Sequence, residues 1–317
     1  MHLQFLVSTE TNPYRNVAVE NYLVDREEAS SMVLYLWKNR RTVVIGQNQN
    51  PYAECDVERL LADGGYVMRR TTGGGAVYHD DGNLNFSFVA PYEHYNQERQ
   101  FEVIRQALRE FGLEAEQSGR NDLLCQGRKF SGNAFSKGRR QRLHHGTLLI
   151  KGNMDDLARY LRVRPAKLQR HGVQSVRSRV VNLSELNAAI TSESMVQPLR
   201  RAFEAVYGSA AEELSFGAMR GSTEVEKLYE RFASEEWIFG KWRNFTATRS
   251  GQFDWGSVDL QLTVDEQKGI ITDVRIASDA LDMASIDEAQ RLLAGASLVK
   301  APISSNFMVR DIIGLAY

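Results

Sequence analysis

The chain has only two cysteines, Cys55 and Cys125, which lie 70 positions apart. This spacing excludes both a CxxC metal-binding motif and a disulfide framework. No stretch approaches the roughly 20 consecutive apolar residues that a membrane span needs. The N-terminal segment reaches a helix-starting Asn12-Pro13 pair without a long apolar core or a cleavage site. We therefore expect a cytoplasmic protein that does not associate with membranes.

An excess of charge of one sign is also missing, since 39 basic and 40 acidic residues give a net charge of −1. Such a balance argues against a dedicated nucleic-acid binder. The average nevertheless hides two basic stretches, because residues 120–142 and residues 162–179 each carry a local charge of +6. Residues 246–317 carry −4 and restore the balance. The sequence therefore indicates one region that is prepared for anionic ligands.

The composition is that of an ordinary globular protein, with 43% hydrophobic and 25% charged residues, and 317 residues favour two domains. Apolar alternation predicts strands at 3–7, 32–37, 42–46, 66–70 and 84–90 and a hairpin at 258–276. Helices are predicted after Asn12, Asp56 and Asn153 and near Ser285. Regular βαβ units are mostly absent, so we expect an α+β fold with mixed or antiparallel sheets flanked by helices. We expect a large catalytic domain at 1–245 and a small α+β domain at 246–317.

The densest cluster of candidate functional residues is RRTTGGGAVYHD, at 69–80. Consecutive glycines leave room for a ligand and can present backbone N–H groups to an anion. Adjacent arginines can make charge-assisted contacts with phosphate or carboxylate. Neither GxxxxGK[ST] nor GxGxxG ahead of a helix is present, so this is not a common nucleotide fingerprint. A glycine-rich hairpin corner is the structural alternative, but the polar-faced strand that follows, with Asn83 and Asn85, favours a ligand site.

A second cluster consists of GRNDLL at 119–124 and GRKFSGNA at 127–134. Lys129 lies between glycine turns, where small neighbours would let its ammonium approach a substrate as a compact point charge. Asp122 is the only acidic residue of this basic stretch, which suits either a Mg²⁺ contact or an arginine partner. A solvated basic surface loop is the structural alternative.

A third cluster is the pair His144 and His145, ahead of the strand-like run TLLI at 147–150. Adjacent residues of a strand point to opposite faces, so the two rings cannot both ligate one metal ion. We therefore expect one inward-facing histidine that donates a hydrogen bond, and no zinc site. Cys125, four residues before Lys129, is interpreted as a small buried thiol.

Together these motifs resemble the lipoate–protein ligase family. RRTTGGGAVYHDDGNLNFSF is similar to the lipoate loop and following strand of these enzymes, GRNDLL with GRKFSGNAF to their nucleotide site, and HHGTLLI to their next strand. The similarity runs from NVAVENYL at 16–23 through VVIGQNQNPYAECD at 43–56 to SVRSRVVNL at 175–183. The tail is similar to the accessory domain of two-domain members. The resemblance implies the α+β fold that biotin ligases and class II aminoacyl-tRNA synthetases share.

The resemblance also implies an activity. Members of the family activate lipoate with MgATP to lipoyl-AMP and transfer the acyl group to a lysine of a lipoyl carrier domain. Such carriers are 2-oxoacid dehydrogenase E2 subunits and the glycine cleavage H protein. ATP and Mg²⁺ are then the cofactors and lipoic acid the substrate, while nucleic acid and membranes are not partners.

Lys129 is the catalytic residue that the resemblance implies. A cation between the lipoate carboxylate and the α-phosphate would remove repulsion and stabilise the transition state. The resemblance assigns to ATP binding Arg70, Gly75, Ala76, Val77, Tyr78, Asn121, Asp122 and Lys129. It assigns to lipoate binding Arg70, Thr72, Gly73, Gly74, Gly75, His79, Lys129 and His145. Asp122 is the candidate contact for a Mg²⁺ ion that arrives with ATP, and Val44, Val77 and Tyr78 are candidates for the lipoyl tunnel.

Four alternatives stay open at this point. The first is an ATP-independent octanoyl or lipoyl transferase that uses a cysteine thioester, for which Cys125 would be the nucleophile. The second is an RNA-binding protein on a synthetase-like scaffold, which the basic stretches would serve and which the acidic tail disfavours. The third is a biotin ligase, which is disfavoured because the glycine motif does not resemble the biotin loop of that family. The fourth is a lipoate-binding module without catalytic activity.

Overall fold

The computed structural model describes residues 1–26, 30–119, 121–138, 141–162, 180–239, 247–265, 268–297 and 299–317. The expected domain boundary at 245/246 and nearly all of the second basic stretch lie outside these residues. So do Arg120, Arg139 and Arg140 of the first stretch. Within the described ranges, no helix is both long and apolar enough to cross a bilayer.

The strands are β1 (His2–Val7), β2 (Ser31–Trp37), β3 (Thr42–Ile45), β4 (Tyr66–Arg69), β5 (Val77–His79), β6 (Asn83–Pro91), β7 (Ala115–Ser118), β8 (Asp122–Cys125), β9 (Arg128–Lys137), β10 (Gln141–Leu149), β11 (Ala211–Glu213), β12 (Ala247–Phe253), β13 (Gly256–Asp265) and β14 (Ile270–Ser278). The α-helices are α1 (Pro13–Asp25), α2 (Pro51–Glu54), α3 (Val57–Ala62), α4 (Gln97–Arg109), α5 (Met154–Tyr160), α6 (Leu183–Leu186), α7 (Ser192–Tyr207), α8 (Phe216–Arg220), α9 (Thr223–Ala233), α10 (Glu235–Phe239), α11 (Met283–Leu293) and α12 (Phe307–Ala316).

Helix starts follow the capping residues that the sequence offers. Asn12 caps α1 by accepting backbone N–H groups of its first turn, and Pro13 occupies the first helical position. Asp56 and Asn153 cap α3 and α5 in the same way. Asp282 caps α11, so this helix begins at Met283, two residues before the expected start near Ser285.

Eight strands of the described chain form one sheet in the order β11-β1-β2-β6-β10-β9-β8-β7. β1 pairs in parallel with β11 and β2, and the other pairs are antiparallel. β3 lies between β4 and β5 in a separate small sheet, and β12-β13-β14 form a third. The predicted α+β fold with mixed sheets is therefore confirmed.

The large sheet is buried on both faces. Leu34 and Leu36 of β2 join Phe101 of α4 and Phe203 of α7 in one apolar cluster. The alternate residues Val33, Tyr35 and Trp37 join α1 and α9 in a second cluster. This two-sided burial explains why β2 is a continuous apolar run rather than an alternating one.

The C-terminal residues form their own apolar core. Alternate residues of β13 and β14, including Val258, Leu260 and Ile276, pack against Ile286 of α11 and Ile312 of α12. The predicted hairpin corresponds to β13 and β14, to which β12 adds a third strand. We call residues 247–317 the small domain.

Candidate active site

A cavity of about 540 Å³ opens between the large sheet, the small β4-β3-β5 sheet and the small domain. Its walls come from α1, from the segment that joins β4 to β5, and from β8, β9 and β10. The small domain contributes the turn between β12 and β13 together with Asp279 and Leu281. All three motif clusters of the sequence therefore meet at one cavity.

Arg70 organises the segment 70–76, which we call the glycine loop. The Arg70 guanidinium is buried and donates to the carbonyl oxygens of Gly73 (2.7 Å), Gly75 (2.8 Å) and Val44 (3.3 Å). Its Nε–H donates to Thr72 Oγ1 at 3.0 Å. Burial lowers the pKa of Arg70 to about 10, so the side chain stays protonated at neutral pH. The loop is thus folded around a buried cation that donates hydrogen bonds to the loop itself and to Val44 of β3.

Arg69 is equally buried but has a different role. Its guanidinium donates to the carbonyl oxygens of Gly46, Gln47 and Gln49 on one side and of Trp237 and Ile238 on the other. It therefore ties β4 to the turn after β3 and to α10. Arg69 does not line the cavity.

Gly73 and Gly74 are in direct contact with the small domain. The Gly74 N–H donates to the Ala280 carbonyl oxygen at 2.9 Å, and the Ser278 N–H donates to the Asn48 carbonyl at 2.9 Å. A Cβ atom on Gly73 would overlap the same Ala280 carbonyl. Gly74 adopts a φ of +92°, which side chains of L residues rarely allow. At these two positions glycine is required for packing against the small domain.

Replacing Gly73 by alanine is expected to displace the small domain from this contact, because the added methyl group and the Ala280 carbonyl cannot occupy the same space. We expect a lower melting temperature, corresponding to about 1–3 kcal/mol, and an increased radius of gyration in small-angle scattering. Gly314→Ala in α12 is the control, because a Cβ atom there meets nothing within 4 Å. Wild-type scattering and stability for Gly73→Ala would contradict this account.

Lys129 lies on β9 at the cavity wall, and its side chain reaches Asp122 on the neighbouring strand β8. The Lys129 Nζ is 2.7 Å from Asp122 Oδ1, and both side chains are about one-third exposed, at 37% and 33%. Gly132 leaves room for the ammonium, since a Cβ there would lie 3.2 Å from Nζ. The partner of Asp122, the acidic residue of the basic stretch, is therefore a lysine rather than the arginine considered from sequence.

Asn121 is fixed by a reciprocal pair of hydrogen bonds with Asn133. The Asn121 side chain donates to the Asn133 carbonyl (2.7 Å), and the Asn133 side chain donates to the Asn121 carbonyl (3.0 Å). His144 Nε2 lies 2.9 Å from Asn133 Oδ1 in the core beneath. Burial lowers the pKa of His144 well below its ordinary value. His144 thus points away from the cavity and supports the Asn121 segment from below.

His145 points into the cavity, as expected for the neighbour of His144 on a strand. Its Nδ1 lies 2.8 Å from the buried Glu20 carboxylate and its Nε2 lies 2.8 Å from Thr72 Oγ1. Glu20 also accepts a 2.5 Å hydrogen bond from the hydroxyl of Ser87 on β6. A continuous set of hydrogen bonds therefore connects α1, β6 and β10 to the glycine loop.

The predicted site residues fall into two groups. Those on the cavity wall are Arg70, Gly74, Gly75, Ala76, Val77, His79, Asn121, Asp122, Lys129 and His145. Thr72 and Gly73 lie behind the wall, where they contact His145 and Ala280. Tyr78 lies on the opposite face of β5, where its ring packs against Tyr160. Of the tunnel candidates, Val44 and Val77 line the cavity.

Sequence reasoning missed four buried residues that line the cavity, namely Val17, Glu20, Trp37 and Met68. Glu20 follows Val17 by three positions on α1, so the two residues share a face of the helix. An acidic residue on the apolar face of a helix was the sequence signal that could have identified Glu20. The small-domain residues Phe253–Gly256 were also missed. Their presence depends on how the two domains pack, which no local pattern reports.

Cys125 is the last residue of β8, belongs to the apolar core and is 1% exposed. Burial raises the pKa of its thiol, which disfavours the nucleophilic thiolate. It does not line the cavity. The interpretation of Cys125 as a small buried thiol agrees with this placement.

Comparison with known proteins assigns the class. Residues 12–204 match the lipoyl protein ligase A/B catalytic domain, and residues 243–312 match the bacterial lipoate protein ligase C-terminus. The two matches together define the chain as a ligase of the lipoyl type.

Individual relatives agree. The chain is 40% identical over 314 residues to a lipoate-protein ligase A of Psychrobacter cryohalolentis. This match covers 97% of this chain and 92% of the relative. The P. falciparum LipL1 structure in complex with lipoate is 30% identical and superposes with a TM-score of 0.82, covering 99% of this chain and 93% of that one. A bipartite lipoate protein ligase of Thermoplasma acidophilum, described with its E2 lipoyl domain, is 25% identical with a TM-score of 0.66, covering 78% of this chain and 100% of that one.

The chain belongs to the lipoate–protein ligase family, and the resemblance stated from the motifs is confirmed.

Proposed function

We propose that this protein activates lipoate with MgATP and transfers the lipoyl group to a lysine of a lipoyl carrier domain. The proposal is supported by the family and by the names of its relatives. The single observation of this chain that carries it is the position of Lys129. Its ammonium stands at the wall of a cavity that both domains line, together with apolar residues and the glycine loop.

In the first step the lipoate carboxylate attacks the α-phosphate of ATP, and the bond to pyrophosphate breaks. Two anions must approach each other, and the Lys129 cation between them would offset their repulsion and stabilise the charge of the transition state. Lipoate is ionised near pH 7, so this step needs no general base. Asn121 and Asp122, on the same wall as Lys129, would hold the nucleotide side.

In the second step the neutral ε-amine of a carrier lysine attacks the acyl carbonyl, and AMP leaves. Lys129 would then hold the carbonyl oxygen and the leaving phosphate. Arg70 would contribute by keeping the glycine loop, with Gly75 and Ala76, in one shape beside the adenylate. In this assignment the apolar residues Val17, Val44 and Met68 receive the lipoyl chain.

Mg²⁺ enters as part of the MgATP substrate. Magnesium is usually held by one or two carboxylates together with the substrate phosphates and several waters. Asp122 supplies one such carboxylate at the cavity wall, so the donor set fits a metal delivered with the nucleotide. Bound there, the ion would neutralise phosphate charge.

The partners in this proposal are lipoyl carrier domains, that is, E2 subunits and the glycine cleavage H protein. Residues 1–245 act as the catalytic domain and 246–317 as the accessory domain. The test is the intact mass of a lipoyl domain after incubation with this protein, lipoic acid and MgATP. We expect the mass of one lipoyl group to be added, and only when ATP is present. Modification without ATP would overturn the proposal in favour of a transferase.

Replacing Cys125 by alanine separates the ligase from the thioester alternative. We expect the ATP-dependent transfer rate to stay within about twofold of wild type, because the thiol is buried away from the cavity. The free energy of unfolding should fall by less than about 2 kcal/mol. The measurement is the same intact-mass assay followed over time. Loss of all transfer in a folded Cys125→Ala protein would instead support a cysteine thioester.

A further inference from the structure

Asn133 of β9 connects Asn121, at the cavity wall, to the core of the large sheet. The Asn121 carbonyl oxygen accepts two hydrogen bonds from Asn133, one from its backbone N–H (2.9 Å) and one from its side chain (3.0 Å). The Asn121 side chain donates in return to the Asn133 carbonyl oxygen (2.7 Å). Both residues line the cavity. Hydrogen bonds with a single residue therefore hold Asn121 immediately ahead of β8.

The Asn133 side chain fits into the sheet because the neighbouring strand has a glycine at this point. Gly146 of β10 lies directly opposite Asn133 in the β9–β10 pair. A Cβ atom on Gly146 would overlap Asn133 Oδ1. Residues two positions apart on a strand share a face, so the Asn133 amide reaches His144, the next residue on that face of β10. Gly146 therefore makes room for a side chain of the protein itself.

The other partners of the Asn133 amide settle the direction of its hydrogen bond with His144. The amide nitrogen donates to the Asn121 carbonyl and to Ser131 Oγ (3.2 Å), so Oδ1 is the acceptor. His144 Nε2 lies 2.9 Å from this oxygen and therefore carries a proton. Because burial lowers the pKa of His144 well below its ordinary value, the ring is neutral and this proton is its only one. The single donor of the ring is thus used by Asn133.

The Nδ1 atom of His144 must then accept a hydrogen bond, and Gln100 of α4 is placed to donate it. The Gln100 side-chain oxygen lies 2.9 Å from Nδ1. A half-turn of this amide exchanges the oxygen for the NH₂ group, which otherwise has no partner among the described residues. Donors then follow one direction, from Gln100 through His144 and Asn133 to Asn121 at the cavity wall.

Apart from these two hydrogen bonds, His144 is surrounded by apolar rings. Four phenylalanine rings pack against the imidazole with centroid distances of 4.7 to 5.8 Å, namely Phe86, Phe88, Phe101 and Phe135. The His144 ring is fully buried among them. A polar ring in such a core is favourable only through its hydrogen bonds, since burying it unpaired costs free energy. The hydrogen bond to Asn133 is the one that leads to the cavity.

We propose that His144 is a positioning residue for the nucleotide, because its Nε2–H holds the Asn133 amide that in turn holds Asn121. This inference rests on the proposed function, in which Asn121 belongs to the nucleotide side of the site. His144 does not line the cavity and acts through two other residues. Its loss should therefore weaken the use of MgATP and leave the use of lipoate unchanged.

Two substitutions of His144 separate positioning from core packing. Glutamine can place an N–H donor where the imidazole Nε2 was, whereas the shorter asparagine reaches only the position of Nδ1. Both are uncharged amides with the same donors and acceptors. We expect His144→Asn to raise the KM for MgATP at least about tenfold and His144→Gln to stay within about threefold of wild type. The KM for lipoate should stay within about twofold of wild type in both variants.

The measurement is pyrophosphate release by the full-length protein at varied MgATP and varied lipoate, with a melting curve for each variant. Phe203→Leu is the control, because Phe203 packs against Phe88 in the same apolar core. We expect this control to lower the melting temperature and to keep both KM values. Equal KM values for MgATP in folded His144→Gln and His144→Asn would overturn the inference.

Asn133→Ala is a second route to the same result if a His144 variant fails to fold. It removes the amide that His144 holds, so it should raise the KM for MgATP as His144→Asn does. A wild-type KM for MgATP in folded Asn133→Ala would likewise contradict the positioning of Asn121 by Asn133.

Amide hydrogen exchange tests the inference without any activity. The Asn133 backbone N–H donates to the Asn121 carbonyl, so its exchange rate reports how firmly Asn121 is held. Relative to the amides of β2, we expect this N–H to exchange at least about tenfold faster in His144→Asn than in His144→Gln. Equal exchange rates in the two variants would be evidence against the inference.

The two measurements separate this inference from the proposed function. A wild-type protein that releases no pyrophosphate from lipoate and MgATP would contradict the ligase proposal, while the exchange rates would still decide whether His144 positions Asn121. Normal release, with equal KM values and equal exchange in the two His144 variants, would contradict the inference and leave the ligase proposal standing.

Discussion

Replacing Lys129 by alanine is expected to slow adenylation by about 10²–10³-fold, equivalent to about 3–4 kcal/mol, which is typical of removing one preorganised donor. The fold should survive, because the Lys129 side chain is 37% exposed and its partner Asp122 is 33% exposed, so their ion pair is solvent-accessible. Such exposed pairs contribute at most about 1 kcal/mol to stability. The expected effect is therefore confined to catalysis.

The measurement is pyrophosphate release with lipoate and MgATP, together with a melting curve. Lys151→Ala is the matched control, because Lys151 is an exposed cation of the same domain that does not line the active-site cavity. We expect the control to release pyrophosphate at the wild-type rate. If the folded Lys129→Ala protein also did so, the assignment of Lys129 would be wrong.

Asp122 sharpens the interpretation of Lys129. Removing the acid with Asp122→Asn frees the ammonium from its 2.7 Å partner but leaves the cation in place. If Asp122 only competes with the substrate for Lys129, it raises the KM for lipoate in the wild type, and Asp122→Asn should have a lower KM for lipoate. An acid that binds the nucleotide with Mg²⁺ would instead make the variant require more MgATP. The two KM values therefore separate the two roles.

The sequence predicted the parts of the site that depend on local spacing. The glycine loop, the approach of Lys129 to the site and the opposed faces of His144 and His145 follow from residues close together in the chain. The small domain was likewise evident from the alternation in β13 and β14.

The remaining features depend on packing between distant segments. Asn83, Asn85 and Ser87 form the polar face of β6, which the sequence suggested as a ligand-facing surface; all three are buried, and of the three only Asn85 lines the cavity. The Ser87 hydroxyl accepts a hydrogen bond from Trp37 and donates one to Glu20, and both partners are more than 45 positions away. Likewise, Gly73 was interpreted as room for a ligand, whereas it leaves room for Ala280. A sequence motif can therefore identify a glycine as obligatory without saying which neighbour requires it.

Replacing Arg70 by alanine is expected to abolish activity and to destabilise the protein at the same time. The change leaves the carbonyl oxygens of Val44, Gly73 and Gly75 without their donor in a buried site. Each unsatisfied buried group costs about 1–3 kcal/mol, so we expect the free energy of unfolding to fall by about 2–4 kcal/mol after local relaxation. Arg70→Lys should rescue little, because one ammonium cannot replace a rigid fork of donors.

Arg69 provides the control that separates stability from function. It is buried like Arg70, burial likewise lowers its pKa to about 10, and its guanidinium donates to backbone carbonyls, but it does not line the cavity. Arg69→Ala should therefore lose comparable stability in urea unfolding while keeping at least about a tenth of the pyrophosphate release rate below its melting temperature. Equal activity losses in folded Arg69→Ala and Arg70→Ala would mean that Arg70 acts through global stability alone. A specific loss in Arg70→Ala would show that the shape of the glycine loop, which this guanidinium holds from within, is itself part of the catalytic apparatus.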